Sequence, residues 1–367
     1  MVLQFKNKPL LMMNNYILSL ILSILRRRKI KVVRVKIPTI KVFGVEIPIK
    51  VFGVEVPLLD FLLPLYVPLD DYTKEIVSGG LLHEPSYKFF VAYCSELDIG
   101  KKVIDLGANI GLYATTSSKM GLETIGVEMD RTNFSLLKIS KKLNRLKKLS
   151  VLNFAISTRI GLNYYVGESA WASIVENIEN DSNYSSSLGL SLDSLYDQNV
   201  GMIKIDVEGN ELDVLESGQL FLKSEQVDFI IESNILSCGK RGYSIEKIFE
   251  LMRTNGYQVF RIDHDNTLIE NPLFQEVLYA DCFFTKRSRK DLQNNFGFTI
   301  KKLTKEMIKS NILQQLKYHN YHRLYVYLIR DKIKTYFTDY EFRNLFIETD
   351  IRDQESVIKL LKVGSQD

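Results

Sequence analysis

From Lys101 to Lys286 short apolar runs alternate with amphipathic stretches. That pattern restricts this part of the chain to an α/β fold in which buried parallel strands are crossed over by helices. The predicted strands are 102–106, 123–128, 149–155, 202–207, 227–232, 258–263 and 278–285, and the predicted helices 111–120, 131–146, 211–222 and 244–255. An extra strand is expected at 161–166 and a polar, serine-rich loop at 182–189. No helix separates the last two strands, so the sheet is expected to end in an antiparallel hairpin. The fold class is therefore α/β, a doubly wound, seven-stranded, mostly parallel sheet.

Composition fits such a core: 46% of the 367 residues are apolar and 25% charged, which excludes disordered and collagen-like chains. Cys94, Cys238 and Cys282 are too few and too far apart for a disulfide framework or a zinc knuckle, and the expected compartment is a reducing cytosol. The net charge of +4 does not favour nucleic acid as a partner.

The segments flanking the α/β pattern are built differently, because seven of the eight prolines fall at or before Pro85. Residues 1–30 carry an apolar stretch followed by Arg26, Arg27, Arg28 and Lys29. The stretch is too short to span a bilayer, and it is read as an interfacial helix, making peripheral membrane contact through residues 10–29 with its arginines at anionic headgroups. A helix docked on protein is the alternative. Residues 31–80 contain a nine-residue repeat, 40–48 and 49–57, whose β-branched residues, Gly and Pro predict short extended segments broken by turns. It is read as a platform for homo-oligomer or membrane contact. Residues 81–286 form the α/β domain, and 287–367 a helical extension, basic to about Lys334.

The chemistry is concentrated at strand ends. Val103-Ile-Asp-Leu-Gly-Ala-Asn-Ile-Gly111 closes the first strand with Asp105, then turns through Gly107, Asn109 and Gly111 into a helix. Gly permits close approach of a ligand, and in open α/β sheets ligands bind beyond the carboxyl ends of the strands. The turn is not GxGxxG, so it lacks the pyrophosphate cradle of a dinucleotide site. Asp105 would instead suit a cationic or zwitterionic group, such as the amino-acid end of S-adenosylmethionine. Glu128 ends the second strand, where an acid can accept both hydroxyls of a ribose.

These segments, in order with 153–157, Leu192-Asp-Ser-Leu195, Lys204-Ile-Asp-Val-Glu-Gly209, Glu211 and Ile230-Ile-Glu232, resemble the FkbM-type family of S-adenosylmethionine-dependent methyltransferases over roughly residues 80–286. The resemblance implies a class I methyltransferase, Rossmann-like fold, S-adenosylmethionine as cofactor and O-methylation of a sugar, glycan or lipid-linked saccharide hydroxyl. A non-catalytic binding or scaffold protein on the same fold is the alternative. By this analogy Asn153 flanks the adenine, Glu84 approaches the methionine end, and Trp171, Ser173 and Lys204 face substrate. The chain departs from the family pattern at Met129-Asp130, where a proline often follows the ribose acid, and in both terminal extensions.

Methyl transfer to a hydroxyl needs an oriented oxygen and a proton acceptor. Strand alternation sets Lys204, Asp206 and Glu208 on one side as the fourth strand ends, and the fifth strand ends beside it in Glu232. Asp206 is the first choice of general base, Glu232 the second, with Glu208 orienting. An ion pair of Lys204 with Glu208 or Glu211, plus helix capping, is the structural alternative. No metal is assigned, although Asp206 and Glu232 holding a divalent cation is an alternative to a general base. Base N-methylation is disfavoured, because the proline-rich loop expected after the fourth strand is missing: no proline lies between Pro85 and Pro272.

Overall fold

The computed structural model of the chain describes residues 32–34, 40–42, 45–47, 52–56, 61–65, 85–98, 100–166, 173–175, 185–272, 279–318 and 338. The expected helix at 1–30, and with it the membrane contact of residues 10–29, lies outside them. Among the described residues no helix is long and apolar enough to cross a membrane.

Five short strands precede the α/β domain: β1 (Val32–Arg34), β2 (Ile40–Val42), β3 (Val45–Ile47), β4 (Phe52–Val56) and β5 (Phe61–Leu65). The two repeat copies take different arrangements. In the first, β2 and β3 pair with each other, with Val42 opposite Val45. In the second, Phe52-Gly53 lies inside β4, where Gly53 is paired with Val33 on one side and Pro64 on the other. Similar local sequence yields to the partners available, as expected for β structure. Pro64 sits on an edge strand, where its missing N–H is tolerated.

The central elements are α1 (Pro85–Ser95), β6 (Lys102–Leu106), α2 (Leu112–Lys119), β7 (Glu123–Val127), α3 (Arg131–Leu143) and β8 (Leu149–Leu152). A small sheet follows, β9 (Ala155–Ile156), β10 (Gly161–Val166), β11 (Ser173–Val175) and β12 (Ser185–Leu190). The chain then returns to the main sheet through β13 (Val200–Ile205), α4 (Glu211–Glu216), α5 (Gln219–Lys223), β14 (Asp228–Asn234), α6 (Ile235–Lys240), α7 (Ile245–Thr254), β15 (Gln258–Asp263), β16 (Thr267–Glu270), β17 (Tyr279–Thr285), α8 (Arg289–Asn294), β18 (Thr299–Lys302) and α9 (Lys305–Tyr318).

The main sheet runs β8-β7-β6-β13-β14-β17-β15-β16-β18. Strands β8 to β14 are parallel, and β17 inserts antiparallel between β14 and β15. The first seven strands in this order make the expected doubly wound sheet. Strand order reverses between β6 and β13, the crevice where such sheets bind ligands.

Among the described residues the structure differs from the sequence reading chiefly as follows. β16 and β18 widen the sheet to nine strands, and β18 interrupts the C-terminal extension that was expected to be helical throughout. The predicted loop at 182–189 contains β12, because β10 supplies an antiparallel partner along its length. The third strand stops at Leu152, and Ala155–Ile156 joins the small sheet instead. The predicted helix 211–222 divides into α4 and α5 around Gly218, where a Cβ would lie 2.6 Å from the Leu192 side chain.

Strand alternation sorts the core. Ile203, Ile205, Phe229 and Ile231 face the layer containing Phe221, Ile248 and Met252, while Met202 and Ile230 face the α1 aromatics Phe89, Phe90 and Tyr93. Lys204 therefore lies on the α1 side of β13, the side of Met202. Phe89 stacks on Phe298 with centroids 4.5 Å apart, and Tyr93 on Phe296 at 4.8 Å. At the foot of β14 buried Asp228 receives Arg287 Nε at 2.6 Å and the Tyr93 hydroxyl.

Candidate active site

The carboxyl ends of β6, β7, β13 and β14 meet in one crevice. Asp105 is 1% exposed, and its Oδ2 accepts the Ala114 N–H at 2.9 Å in the first turn of α2. Its Oδ1 is buried without a hydrogen-bond partner. Burial pushes the Asp105 carboxyl up to about 6 against the pull of Lys204.

The turn after β6 is shaped by its left-handed residues, Gly107 at φ 76°, Asn109 at φ 50° and Gly111 at φ 100°. A Cβ on Gly107 would sit 1.7 Å from the Asp206 carbonyl oxygen, so the β6 turn and the end of β13 touch backbone to backbone. Gly107 and Ala108 both donate their N–H to the Val127 carbonyl at 3.0 Å, tying the turn to β7.

Glu128 lies beside this turn and accepts the Asn109 N–H at 2.7 Å on Oε2 and the Asp130 N–H at 2.8 Å on Oε1. Each oxygen keeps a second lone pair. Burial pushes Glu128 up to about 8, the two amides pulling the other way. Asn153 donates its side-chain amide to the carbonyls of Glu128 and Met129 at 2.7 and 3.0 Å, fastening the end of the third strand to that of the second. Glu84 and Trp171 lie outside the described residues. Ser173 opens β11 in the small sheet.

On the other side of the switch point Lys204 is 2% exposed. Its Nζ lies 2.6 Å from Asp206 Oδ2 and 4.4 Å from the centre of the Tyr113 ring. Burial opposes its charge, yet Asp206, Tyr113, Asp105 and Asp281 together hold it well above the usual lysine range. Lys204 thus pairs with Asp206, a partner that the structural alternative did not name. Carboxylate oxygens of Asp206, Glu208 and Glu232 lie within 4.8 Å of one another, so the structure brings the three sequence-predicted acids together. Asp206 keeps a third of its side chain exposed. Glu232 is 8% exposed with Oε2 unpartnered, and burial together with Asp206, Glu208, Asp281 and Glu211 pushes its carboxyl well up.

Sequence reasoning missed the support of this loop. Glu208 and Gly209 take left-handed backbone, φ 53° and 95°, and a Cβ on Gly209 would meet the Ser237 carbonyl at 2.4 Å. Glu211, 1% exposed, accepts the N–H groups of Val207 at 3.2 Å and Gly209 at 3.0 Å, and its other oxygen lies 3.1 Å from the Tyr243 hydroxyl. Glu211 therefore holds the loop that presents Asp206 and Glu208. Its two-residue spacing from Gly209 was a local signal for this; Tyr243, Tyr113 and Asp281 left none, because each arrives from a distant element.

The raised Asp105 and Glu128 carboxyls predict a pH effect. Both bind protons more tightly folded than unfolded, so the unliganded protein loses stability as pH rises from about 4 through 8. The Asp105 part, from 3.8 to about 6, corresponds to roughly 3 kcal/mol. Urea unfolding across that range should show the decline, flattened between about pH 4 and 6 in Asp105→Asn; stability that rises with pH in this window and is unchanged by the substitution would contradict it.

Part of the chain is similar to known proteins. The methyltransferase FkbM domain model matches residues 105–259, the segment from Asp105 through β14 to β15. An FkbM methyltransferase structure from Methylobacillus flagellatus KT is 17% identical, with 59% of this chain and 55% of that one covered and a TM-score of 0.34. The chain thus spans little more than half of that relative. A TehB-like SAM-dependent methyltransferase from Corynebacterium glutamicum is 14% identical over 59% of this chain and 97% of that one, TM-score 0.36. TYW2 from M. jannaschii, solved with AdoMet, is 12% identical over 68% and 86%, TM-score 0.33. No curated protein matches the chain in sequence. The matched segment spans the crevice where Asp105, Glu128, Asp206 and Glu232 meet. Over residues 105–259 the chain is similar to the methyltransferase FkbM domain family.

Proposed function

We propose that the chain transfers a methyl group from S-adenosylmethionine to a hydroxyl of a sugar, glycan or lipid-linked saccharide. The donor fits the residues present: the buried, unpartnered Oδ1 of Asp105 is matched to an ammonium group, and the lone pairs left on Glu128 to a ribose diol. Asp105, Gly107, Asn109 and Gly111 would hold the methionine end, Glu128 the ribose, and Asn153 the edge near the adenine. The bound donor supplies a methyl on a sulfonium, open to in-line displacement.

The observation that carries the reading is the convergence of Asp206, Glu208 and Glu232 beside the glycine turn. Hydroxyl acceptors donate hydrogen bonds, and a ring of carboxylates orients them. Asp206, with a third of its side chain exposed, takes the hydroxyl proton as general base, while Lys204 fixes its orientation at 2.6 Å. Glu208 orients the acceptor and Glu232 stands behind as a second proton acceptor. A lipid-linked acceptor would fit the apolar run and basic cluster of residues 10–29.

The test is methyl transfer from labelled S-adenosylmethionine to a panel of saccharides, with amine acceptors alongside. Label recovered as a sugar methyl ether is expected. Label entering amines, or none transferred to any hydroxyl, would overturn the reading.

A further inference from the structure

We propose that Asp206, Glu208 and Glu232 form a binding site for one hard divalent cation, magnesium or manganese, with coordination positions open to oxygens of a polyhydroxylated acceptor. The role given to the ion, making the acceptor hydroxyl more acidic so that its proton passes more readily to Asp206, rests on the methyl-transfer reading of the same crevice, whereas binding itself does not.

Three observations meet here. First, the oxygens lie within 4.8 Å of one another, close to the roughly 4–5 Å across the oxygen shell of one hard cation, so that magnesium or manganese needs the carboxylates to draw in by only a few tenths of an ångström. Second, Glu232 is more than nine-tenths buried, yet its Oε2 has no hydrogen-bond partner. A buried carboxylate oxygen is costly to leave unsatisfied, and a cation in the cluster would satisfy it. Third, the charges do not balance. Lys204 brings one ammonium to Asp206 at 2.6 Å, while Glu211 and Asp281 add further carboxyl groups near Glu232. Like charges this close are tolerated when a proton or a cation intervenes.

The donor set is all oxygen, which selects magnesium or manganese over zinc or copper. Three protein carboxylates leave part of an octahedral shell open. A sugar with neighbouring hydroxyls can fill two such positions, which makes saccharides with vicinal hydroxyls the favoured acceptors over isolated alcohols.

The test is a manganese(II) titration of the full chain, with free ion read by electron spin resonance and S-adenosylhomocysteine binding measured on the same samples. One saturable site per chain is expected. Glu232→Gln and Glu208→Gln should each weaken it by about tenfold or more, the scale on which metal sites respond to a lost contact. Glu246→Gln, at an exposed position of α7, should leave it unchanged. No saturable site in a wild-type chain that binds S-adenosylhomocysteine, or equal manganese binding by Glu232→Gln, would overturn the cation site and leave methyl transfer standing. Saturable manganese binding by a chain that does not bind S-adenosylhomocysteine would keep the site and overturn its role in methyl transfer.

Discussion

Asp206→Asn lowers kcat by about two to four orders of magnitude, the loss that goes with removing a positioned proton acceptor. The substitution keeps the side chain's shape and leaves an oxygen for Lys204, which now sits 2.6 Å from Oδ2, so the loop after β13 should hold. What is lost is the ability to accept the hydroxyl proton in the transition state. The expected signature is a fall in kcat with little change in KM for the methyl donor, because Asp105 and Glu128 lie on the β6 and β7 side of the crevice. Initial rates with saturating donor check this. A variant within threefold of wild type would remove Asp206 from the proton transfer, and a larger loss in Glu232→Gln would move that role to Glu232.

Gly107→Ala has the largest expected effect on the fold itself. Its Cβ would lie 1.7 Å from the Asp206 carbonyl oxygen and 2.8 Å from the carbonyl carbon. Both obstacles are backbone, so no side-chain rotation relieves them. Left-handed φ alone costs a non-glycine residue about 1–2 kcal/mol, and separating the ends of β6 and β13 brings the total to about 4 kcal/mol or more. The same movement displaces Asp105 and Asp206 together, so ligand binding should fail along with stability. Gly121→Ala is the matched control: its φ is also left-handed, at 95°, with nothing within 4 Å of the added atom. Thermal unfolding should show a much larger drop for position 107 than for position 121, whereas equal drops would mean that the close approach of the two strand ends does not matter.

These two residues also show how much was legible in the sequence. The glycine turn and the acids of β13 and β14 sit in short local patterns, where apolar strands end in chemistry-bearing residues at the same end of a parallel sheet. Register then does the rest: Lys204 lies opposite Asp105 on β6 and Ile230 on β14, so acids at the ends of neighbouring strands converge. Asp281 was not legible, because it reaches the cluster by the insertion of β17 antiparallel to β14, opposite Glu232. Glu211 as the brace of the loop was legible only through its spacing from Gly209, since Tyr243, which completes the brace, comes from the segment between α6 and α7. β12 was hidden by its serines, whose low strand preference was overridden by pairing with β10. The repeat at 40–57 could not reveal that its two copies part company, because that outcome depends on which strands lie alongside.

The central claim is that the crevice between β6 and β13 binds the methyl donor through Asp105. It is tested most directly by calorimetric titration of the full chain with S-adenosylhomocysteine, beside Asp105→Ala and with NAD as a control ligand. The account predicts saturable binding by wild type, weakened at least about tenfold in a folded Asp105→Ala, as for a lost hydrogen bond to a charged group, and no comparable binding of NAD. A folded wild-type protein that does not bind S-adenosylhomocysteine, or binds it equally well without the Asp105 carboxylate, would contradict it.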